Sequence, residues 1–370
     1  MILKNIEAHQ FRNLSSSPFH FHPEVNLILG ENGQGKTNLL EAIYFLATTR
    51  SFRTPRSANL IRLEAGSMFV RGTVEEHQLT RVLSIGLDAK SERRRELRIN
   101  EEKVTVQRYT SVVPLFAYSA SRLEIIRGGP EERRRFLDRG IATLQPGYLR
   151  DLTRYSRALQ QRNALLQKVA EGKSSAGALD AWDQEFCSAA RPIVLARARY
   201  VEKIQNEFHR IVAEHDYHVQ GLHVGYGPSG FDPSAEVESS IETLRRERRR
   251  ELSAGFSLIG PHRDTVAFEI SGKPAADLLS SGEIKMTVLF LKFAKMALYR
   301  SILEARPLFL LDDIDAELDL GIIERLLAHV TGAAQLFTTS AKDTVFKTLE
   351  LGPHRRMLLR GGAVAEVSER

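Results

Sequence analysis

Apolar positions fall into three kinds of pattern along the chain. Val25-Asn26-Leu27-Ile28-Leu29 is a mostly apolar run that ends at Gly30, which predicts a buried strand. From Asn38 the sequence LLEAIYFLATTR places apolar residues at helical spacing. Phe69 to Val74 and then Leu79, Arg81, Leu83 and Ile85 alternate, with a turn predicted at Glu75-Glu76-His77. Leu97 to Val106, broken at Asn100 to Lys103, reads as a further hairpin, so residues 66–108 are expected to form an antiparallel sheet.

The middle of the chain changes period. Leu152, Tyr155, Leu159, Arg162, Leu166 and Val169 step by three and four residues, a heptad-like seam. Glu171 to Gly177 interrupts it, and Trp182, Phe186, Ile193, Tyr200, Ile204, Phe208 and Ile211 mark a second helical segment. Together they predict an antiparallel helical hairpin. A polar loop is expected at Gly225 to Pro233 and a basic helix at 235–252. Strands follow at Gly255–Ile259 and Thr265–Ile270, a helix at Glu283–Leu303 and a strand at Pro307–Leu311. A helix from Leu320 and a strand at Gln335–Thr338 complete an α/β unit split by a mainly helical insertion.

Composition narrows the class. The chain has 370 residues, 42% hydrophobic and 26% charged, which excludes disordered and fibrous proteins. Its length suits two domains, or one with an insertion. Cys187 is the single cysteine, so neither a disulfide framework nor a cysteine-built zinc site is possible. No apolar run approaches the ~20 residues of a membrane span, and MILKNIEAHQF lacks a signal-peptide core. The expectation is a cytoplasmic protein without a membrane partner. Net charge is +6, and 13 of the 52 basic residues are lysine, leaving 39 arginines. Arginine runs at 93–95, 133–135 and 245–250 suggest a polyanionic partner, although glutamates beside every run also suit solvated helix faces.

The candidate chemistry starts with Gly30-Glu31-Asn32-Gly33-Gln34-Gly35-Lys36-Thr37, which fits the phosphate-binding loop G-x-x-x-x-G-K-[ST] between a strand and a helix. Its backbone N–H groups would face phosphate oxygens, Lys36 would reach the β- and γ-phosphates, and Thr37 would ligate Mg²⁺. Pro307 to Asp313 is an apolar strand ending in two carboxylates. Asp312 is the natural Mg²⁺ partner, and Asp313 could polarise an attacking water. Leu279-Ser280-Ser281-Gly282-Glu283 alone reads as a helix N-cap. Its place between the phosphate loop and the block LLDD…AELD (Ala316 to Asp319) instead resembles the ABC-type ATPase head. In that class the signature completes the nucleotide site of the opposing subunit, which gives Ser280 and Gly282 a role in nucleotide binding.

Over nearly the whole chain the sequence resembles the RecF family, bacterial DNA-repair ATPases related to SMC heads. Phe11-Arg12-Asn13, Asn32 to Leu46, Arg50-Ser51-Phe52-Arg53, Gly128-Gly129-Pro130, Arg133 to Asp138, Gly260 to Asp264 and LLDD…AELD carry the resemblance. Three departures stand out: Ala120-Ser121-Arg122-Leu123 replaces Pro-Glu-Asp-Leu, Glu283 replaces glutamine, and Ile322 stands near a usual basic position. Thr338-Thr339-Ser340 lies where transporters have a switch histidine. His262 and Asp264 lack a third metal ligand and read as structural or phosphate-sensing.

The resemblance implies an α/β phosphate-loop NTPase of ABC/SMC head type, with residues 1–115 and 255–370 as the head and 116–254 as the helical insertion. It implies ATP and Mg²⁺ as cofactors and a homodimer formed with ATP between the two heads. It also implies DNA as partner (single-stranded, duplex or gapped), recombination mediator proteins, and work in DNA replication, DNA repair and the SOS response. Slow, DNA-stimulated ATP hydrolysis would involve Lys36 and Asp313. A non-hydrolysing ATP-binding scaffold of the same fold accounts for the same motifs.

Overall fold

The computed structural model describes residues 1–90, 95–118, 124–215, 217, 219, 221–313, 320–342, 346 and 352–370. The chain opens with strands β1 (Ile2–His9), β2 (Phe19–His20) and β3 (Val25–Leu29), then helix α1 (Lys36–Thr48). Strands β4 (Ser67–Glu76), β5 (Leu79–Asp88), β6 (Arg95–Ile99) and β7 (Glu102–Lys103) follow, then the short helix α2 (Val106–Thr110) and β8 (Leu115–Tyr118). The middle is helical: α3 (Glu124–Arg127), α4 (Pro130–Leu144), α5 (Tyr148–Ala170) and α6 (Leu179–Glu214). Then come β9 (Leu222–Gly227), α7 (Val237–Ala254), β10 (Thr265–Ile270), β11 (Lys273–Pro274), α8 (Ala275–Leu278) and α9 (Ser281–Leu303). The chain ends with β12 (Leu308–Leu311), α10 (Leu320–Val330), β13 (Gln335–Ser340), β14 (His354–Arg360) and β15 (Ala363–Glu369).

These elements form two compact units, Met1–Arg122 with Tyr299–Arg370, and Leu123–Leu298. The first unit holds two six-stranded sheets. One is antiparallel in the order β2-β1-β4-β5-β6-β7. The other has the order β15-β14-β3-β13-β12-β8, parallel except for the edge strand β15. All five residues of β3 and all four of β12 are buried, as expected of a parallel sheet covered on both faces. Leu39, Ile43, Phe45 and Leu46 of α1 share one core with Leu3, Ile6, Ile85 and Phe337 from the two sheets.

The second unit is built on the antiparallel pair α5 and α6, with α4, α7 and the small sheet β11-β10-β9. The seam predicted for α5 buries Tyr155, Arg162 and Leu166. Arg162 is tolerated there because Asp183 of α6 and Glu251 of α7 face it at 2.8 and 2.5 Å. Residues 255–298, assigned to the head from sequence, pack within this unit.

Two local expectations are corrected. Gly255–Ile259 is not a strand: Gly255 ends α7 at φ 76°, and Ser257 turns inward to Arg162 and Asn163. The polar loop expected from Gly225 begins three residues later, at Pro228, because Leu222–Gly227 pairs along its length with β10.

Candidate nucleotide-binding site

Parallel strands β3, β13 and β12 lie side by side, so their C-terminal ends reach one edge of the sheet. The loop Gly30–Thr37 leaves β3 there, Thr339 is the last residue but one of β13, and Asp312 and Asp313 follow β12. A ligand crevice at the carboxyl ends of parallel strands is what this topology provides. Gly30 has φ 146°, and a Cβ there would lie 2.6 Å from the Leu359 carbonyl, so the turn requires glycine. Gly35 caps α1 without a side-chain bond, which leaves the first-turn N–H groups available to an anion. Glu31, Asn32 and Gly33 form the exposed rim of the loop, whereas Lys36 is buried.

Lys36 Nζ donates to the carbonyls of Gly30 at 2.7 Å and Glu31 at 3.0 Å. Thr37 Oγ1 donates to Asp312 Oδ1 at 3.0 Å, and Thr339 Oγ1 donates to the same oxygen at 2.9 Å. Asp313 N–H in turn donates to Thr339 Oγ1 at 2.8 Å. Burial pushes the Asp312 carboxyl above its ordinary range; Thr339 pulls it down, the Asp313 charge raises it, and Thr37 and Arg53 pull it down. A hydroxyl beside a carboxylate is a hard-oxygen donor pair, and Mg²⁺ at phosphates takes one or two such protein ligands. Among the described residues no cluster of three His, Cys, Asp or Glu side chains is placed to hold a metal ion.

Residues named only through the resemblance brace this loop. Glu41 of α1 is fully buried and accepts from Arg12 Nε at 2.5 Å and Nη2 at 3.1 Å, and from Ser51 Oγ. Asn13 Nδ2 donates to the Gly33 carbonyl at 3.2 Å, and its Oδ1 accepts from Asn38 at 2.7 Å. Arg53 Nη1 donates to Asn38 Oδ1 at 2.8 Å. Thr339 had no role in the sequence reading. Its signal was a hydroxyl at the end of the strand that neighbours both motifs.

Ser280 and Gly282 belong to the second unit, exposed at the start of α9. Ser280 N–H donates to Glu283 Oε2 at 2.7 Å, and Glu283 N–H donates to Ser280 Oγ at 3.3 Å. This is a reciprocal capping box, and it bends the Glu283 carboxylate back onto the helix end. The Ser280 hydroxyl keeps its own proton to donate.

His262 and Asp264 are structural. Buried Asp264 accepts from Arg197 at 2.7 Å, Tyr226 at 2.6 Å and the Ser229 N–H at 2.9 Å. His262 contacts Tyr155 at 2.6 Å and the Ser257 carbonyl at 3.1 Å. Burial lowers its pKa, opposed by that carbonyl and aided by Arg263. The arginine runs divide between internal ties and surface, with Arg135, Arg245, Arg246, Arg249 and Arg250 exposed. Arg133 and Arg134 donate to the carbonyls of Ile126, Val266 and Asp264; Arg135 pairs with Glu131 and Glu132. Arg248 pairs with Asp180 and Asp183, and Arg250 with Glu247. Arg93, Arg94, the departure at 120–123 and the segment Ala316 to Asp319 lie outside the described residues. No helix among the described residues is long and apolar enough to cross a membrane.

Residues 2–352 match the family model described as the RecF/RecN/SMC N terminal domain. The DNA replication and repair protein RecF of Lactobacillus gasseri is 33% identical over 347 residues, covering 92% of each chain. The chain belongs to the RecF family. The corresponding RecF of Geobacillus thermodenitrificans is 33% identical over 346 residues, again 92% of each chain. A solved RecF, described as a recombination mediator protein with ATP in the RecFOR pathway, matches at TM-score 0.88 and 26% identity over 100% of this chain and 97% of that one. An Smc head bound to a winged-helix domain of ScpA matches at TM-score 0.58 and 16% identity over 100% and 98%, a likeness of fold. The RecF fold here is therefore an α/β ATPase head of ABC/SMC type.

Proposed function

We propose that this RecF-family chain is an ATP-dependent DNA-binding protein of DNA replication and recombinational repair, with ATP and Mg²⁺ as its cofactors. The observation that carries the reading is the Asp312 carboxylate, shared by the hydroxyls of Thr37 and Thr339 beside the loop that bears Lys36. In this reading the loop Gly30 to Thr37 cradles the phosphates through its N–H groups, and Lys36 neutralises the β- and γ-phosphates. Thr37 and Asp312 hold the Mg²⁺, which when bound neutralises phosphate charge. Asp313 orients the water for slow hydrolysis. Ser280 and Gly282 present a hydroxyl and a helix N-terminus to the γ-phosphate held by a second copy, so ATP and not ADP joins two heads. DNA in single-stranded, duplex or gapped form and recombination mediator proteins are the partners, and the SOS response is the setting. The solved RecF with ATP and the curated replication and repair proteins support this reading by family membership.

Sedimentation with ATP, ADP or no nucleotide tests it. The wild type is expected to dimerise with ATP alone, while Ser280→Arg binds ATP and stays monomeric. DNA affinity measured in parallel should fall with salt at a slope of about −0.9 per duplex phosphate neutralised. A Ser280→Arg protein that dimerises like wild type would remove the role of the signature in trans. Multiple-turnover ATPase with and without DNA separates an ATPase from a non-hydrolysing scaffold.

A further inference from the structure

The phosphate loop is fastened to the far end of the chain. Gln34, in the middle of the loop, accepts at Oε1 from Gly361 N–H at 2.6 Å and at its backbone carbonyl from Gly362 N–H at 3.0 Å. Gly362 gives its own carbonyl to Ser15 N–H at 2.8 Å. Gly361 and Gly362 form the turn between β14 and β15, and β14 runs in parallel register with β3, Leu358 opposite Leu29. The space around the two glycines differs. A Cβ on Gly362 would fall 1.9 Å from the Asn13 carbonyl oxygen, whereas a Cβ on Gly361 would meet nothing within 4 Å. Asn13 is also the residue whose side chain holds Gly33. Two loop residues, Gly33 and Gln34, are thus fixed by Asn13 and by this turn.

We infer that the β14–β15 turn is a working wall of the nucleotide site: Gly362 is a positioning residue that holds the phosphate loop open to an anion, and nucleotide binding in turn tightens the C-terminal hairpin. The inference rests on the nucleotide reading of the loop. Its physical basis is reciprocity. If the turn favours the nucleotide-binding shape of the loop, a bound nucleotide must favour the docked turn by the same factor. The hairpin is suited to show this, because β15 is a sheet edge and its residues from Ala365 to Glu369 are exposed. Its docking leans on β14 and on the turn, with little core beneath it, so local opening should respond to small changes at the anchor.

Hydrogen exchange and nucleotide titration on the full chain test this together. ATP is expected to slow exchange at Gly361, Gly362 and along Ala363–Glu369 in the wild type, and to leave those amides unchanged in Lys36→Ala. Gly362→Ala should weaken ATP binding at least about tenfold, a modest coupling on the usual scale. Gly361→Asn, at φ 55° with open space, should bind within about twofold of wild type, since asparagine tolerates this backbone. Gln34→Ala removes one bond without any clash, and should weaken ATP in the same direction if Gly362→Ala fails to fold. ATP binding that leaves hairpin exchange unchanged, with Gln34→Ala equal to wild type, would overturn the inference and spare the nucleotide reading. A wild type that binds no ATP would overturn both.

Discussion

Two buried arginines of the second unit and the buried lysine of the first-unit loop are partnered in opposite ways. In the second unit Arg162 is fully buried, and its guanidinium is met by Asp183, Glu251 and the Ser257 hydroxyl at 2.8, 2.5 and 2.7 Å. Arg197 is matched as fully, by Asp138 at 2.9 Å, Asp264 at 2.7 Å and the Pro261 carbonyl at 2.6 Å. In the first unit Lys36 is only 5% exposed, yet its partners are two carbonyls of its own loop. A buried charge with complete counter-charge is architecture. A buried charge left to neutral carbonyls keeps electrostatic capacity for an anion, which is the role proposed for Lys36. The difference in partners, more than burial itself, separates a structural cation from a ligand-binding one.

Breaking the complete network should give the largest effect. Arg162→Ala would leave Glu251 buried without its cation and Asp183 with Arg248 alone, which costs about 3–5 kcal/mol. Chemical denaturation should show that loss, while ATP affinity of the folded protein stays near wild type. Replacing Arg162, Asp183 and Glu251 together by apolar residues of similar volume should recover much of it, because the uncompensated charges go too. Lys36→Ala should do the reverse. A charge-assisted contact worth about 1.5–3 kcal/mol disappears, so ATP affinity falls at least ~10-fold. Its denaturation midpoint should move far less than that of Arg162→Ala. Equal ATP affinity for Lys36→Ala and wild type would erase the contrast and the phosphate-loop assignment with it.

What the sequence revealed followed from how each contact is encoded. β3, α1, β12 and β13 were legible because buried parallel strands read as apolar runs, bounded here by Gly30 and Asp312. The loop Gly30–Thr37 between β3 and α1 was legible from glycine and lysine spacing, and the capping box from Ser280 and Glu283 three residues apart. The bracing of the loop was not. Gly361 donates a backbone N–H to Gln34 across 327 positions, and a main-chain donor leaves no distinctive letter in the sequence. The arginine runs were only partly legible for a related reason. Arg134 donates to a carbonyl 130 residues away, while Arg245, Arg246, Arg249 and Arg250 stay exposed, and nothing in the run itself marks which arginine does which. The strand β9 was hidden by Gly225 and Gly227, which carry turn signals, and was imposed by pairing with β10.

Lys295 sharpens the comparison with the smallest effect. It is buried like Arg162 but partnered like Lys36: Nζ donates to the Phe136 carbonyl at 2.9 Å and sits 4.2 Å from the centre of the Phe136 ring. Its stem is closely packed, since a Cβ on Gly140 would lie 2.9 Å from Lys295 Cε and 2.1 Å from the Tyr200 hydroxyl. With neither counter-ion nor ligand, the remaining response is loss of the proton. Burial lowers the Lys295 pKa well below 10.5, Lys292 and Arg139 add to this, and Asp138 opposes it. Below 10.5 the unfolded chain therefore holds a proton that the folded chain has released over part of the range, and stability from this group rises with pH there. Buried Tyr148 and Tyr200 act with the opposite sign. Burial raises their pKa above 10.0, so their contribution is complete below that value and fades above it. The Lys295 contribution is expected to climb with pH below 10.5, and the tyrosine contribution to decline above 10.0. Lys295→Met conserves volume and should change stability by less than about 1.5 kcal/mol at neutral pH. It should flatten the climb and leave the decline above pH ~10 in place. Denaturation midpoints of both proteins across this range decide it. Parallel profiles would mean that Lys295 keeps its charge, and that a carbonyl and a ring suffice for a buried cation after all.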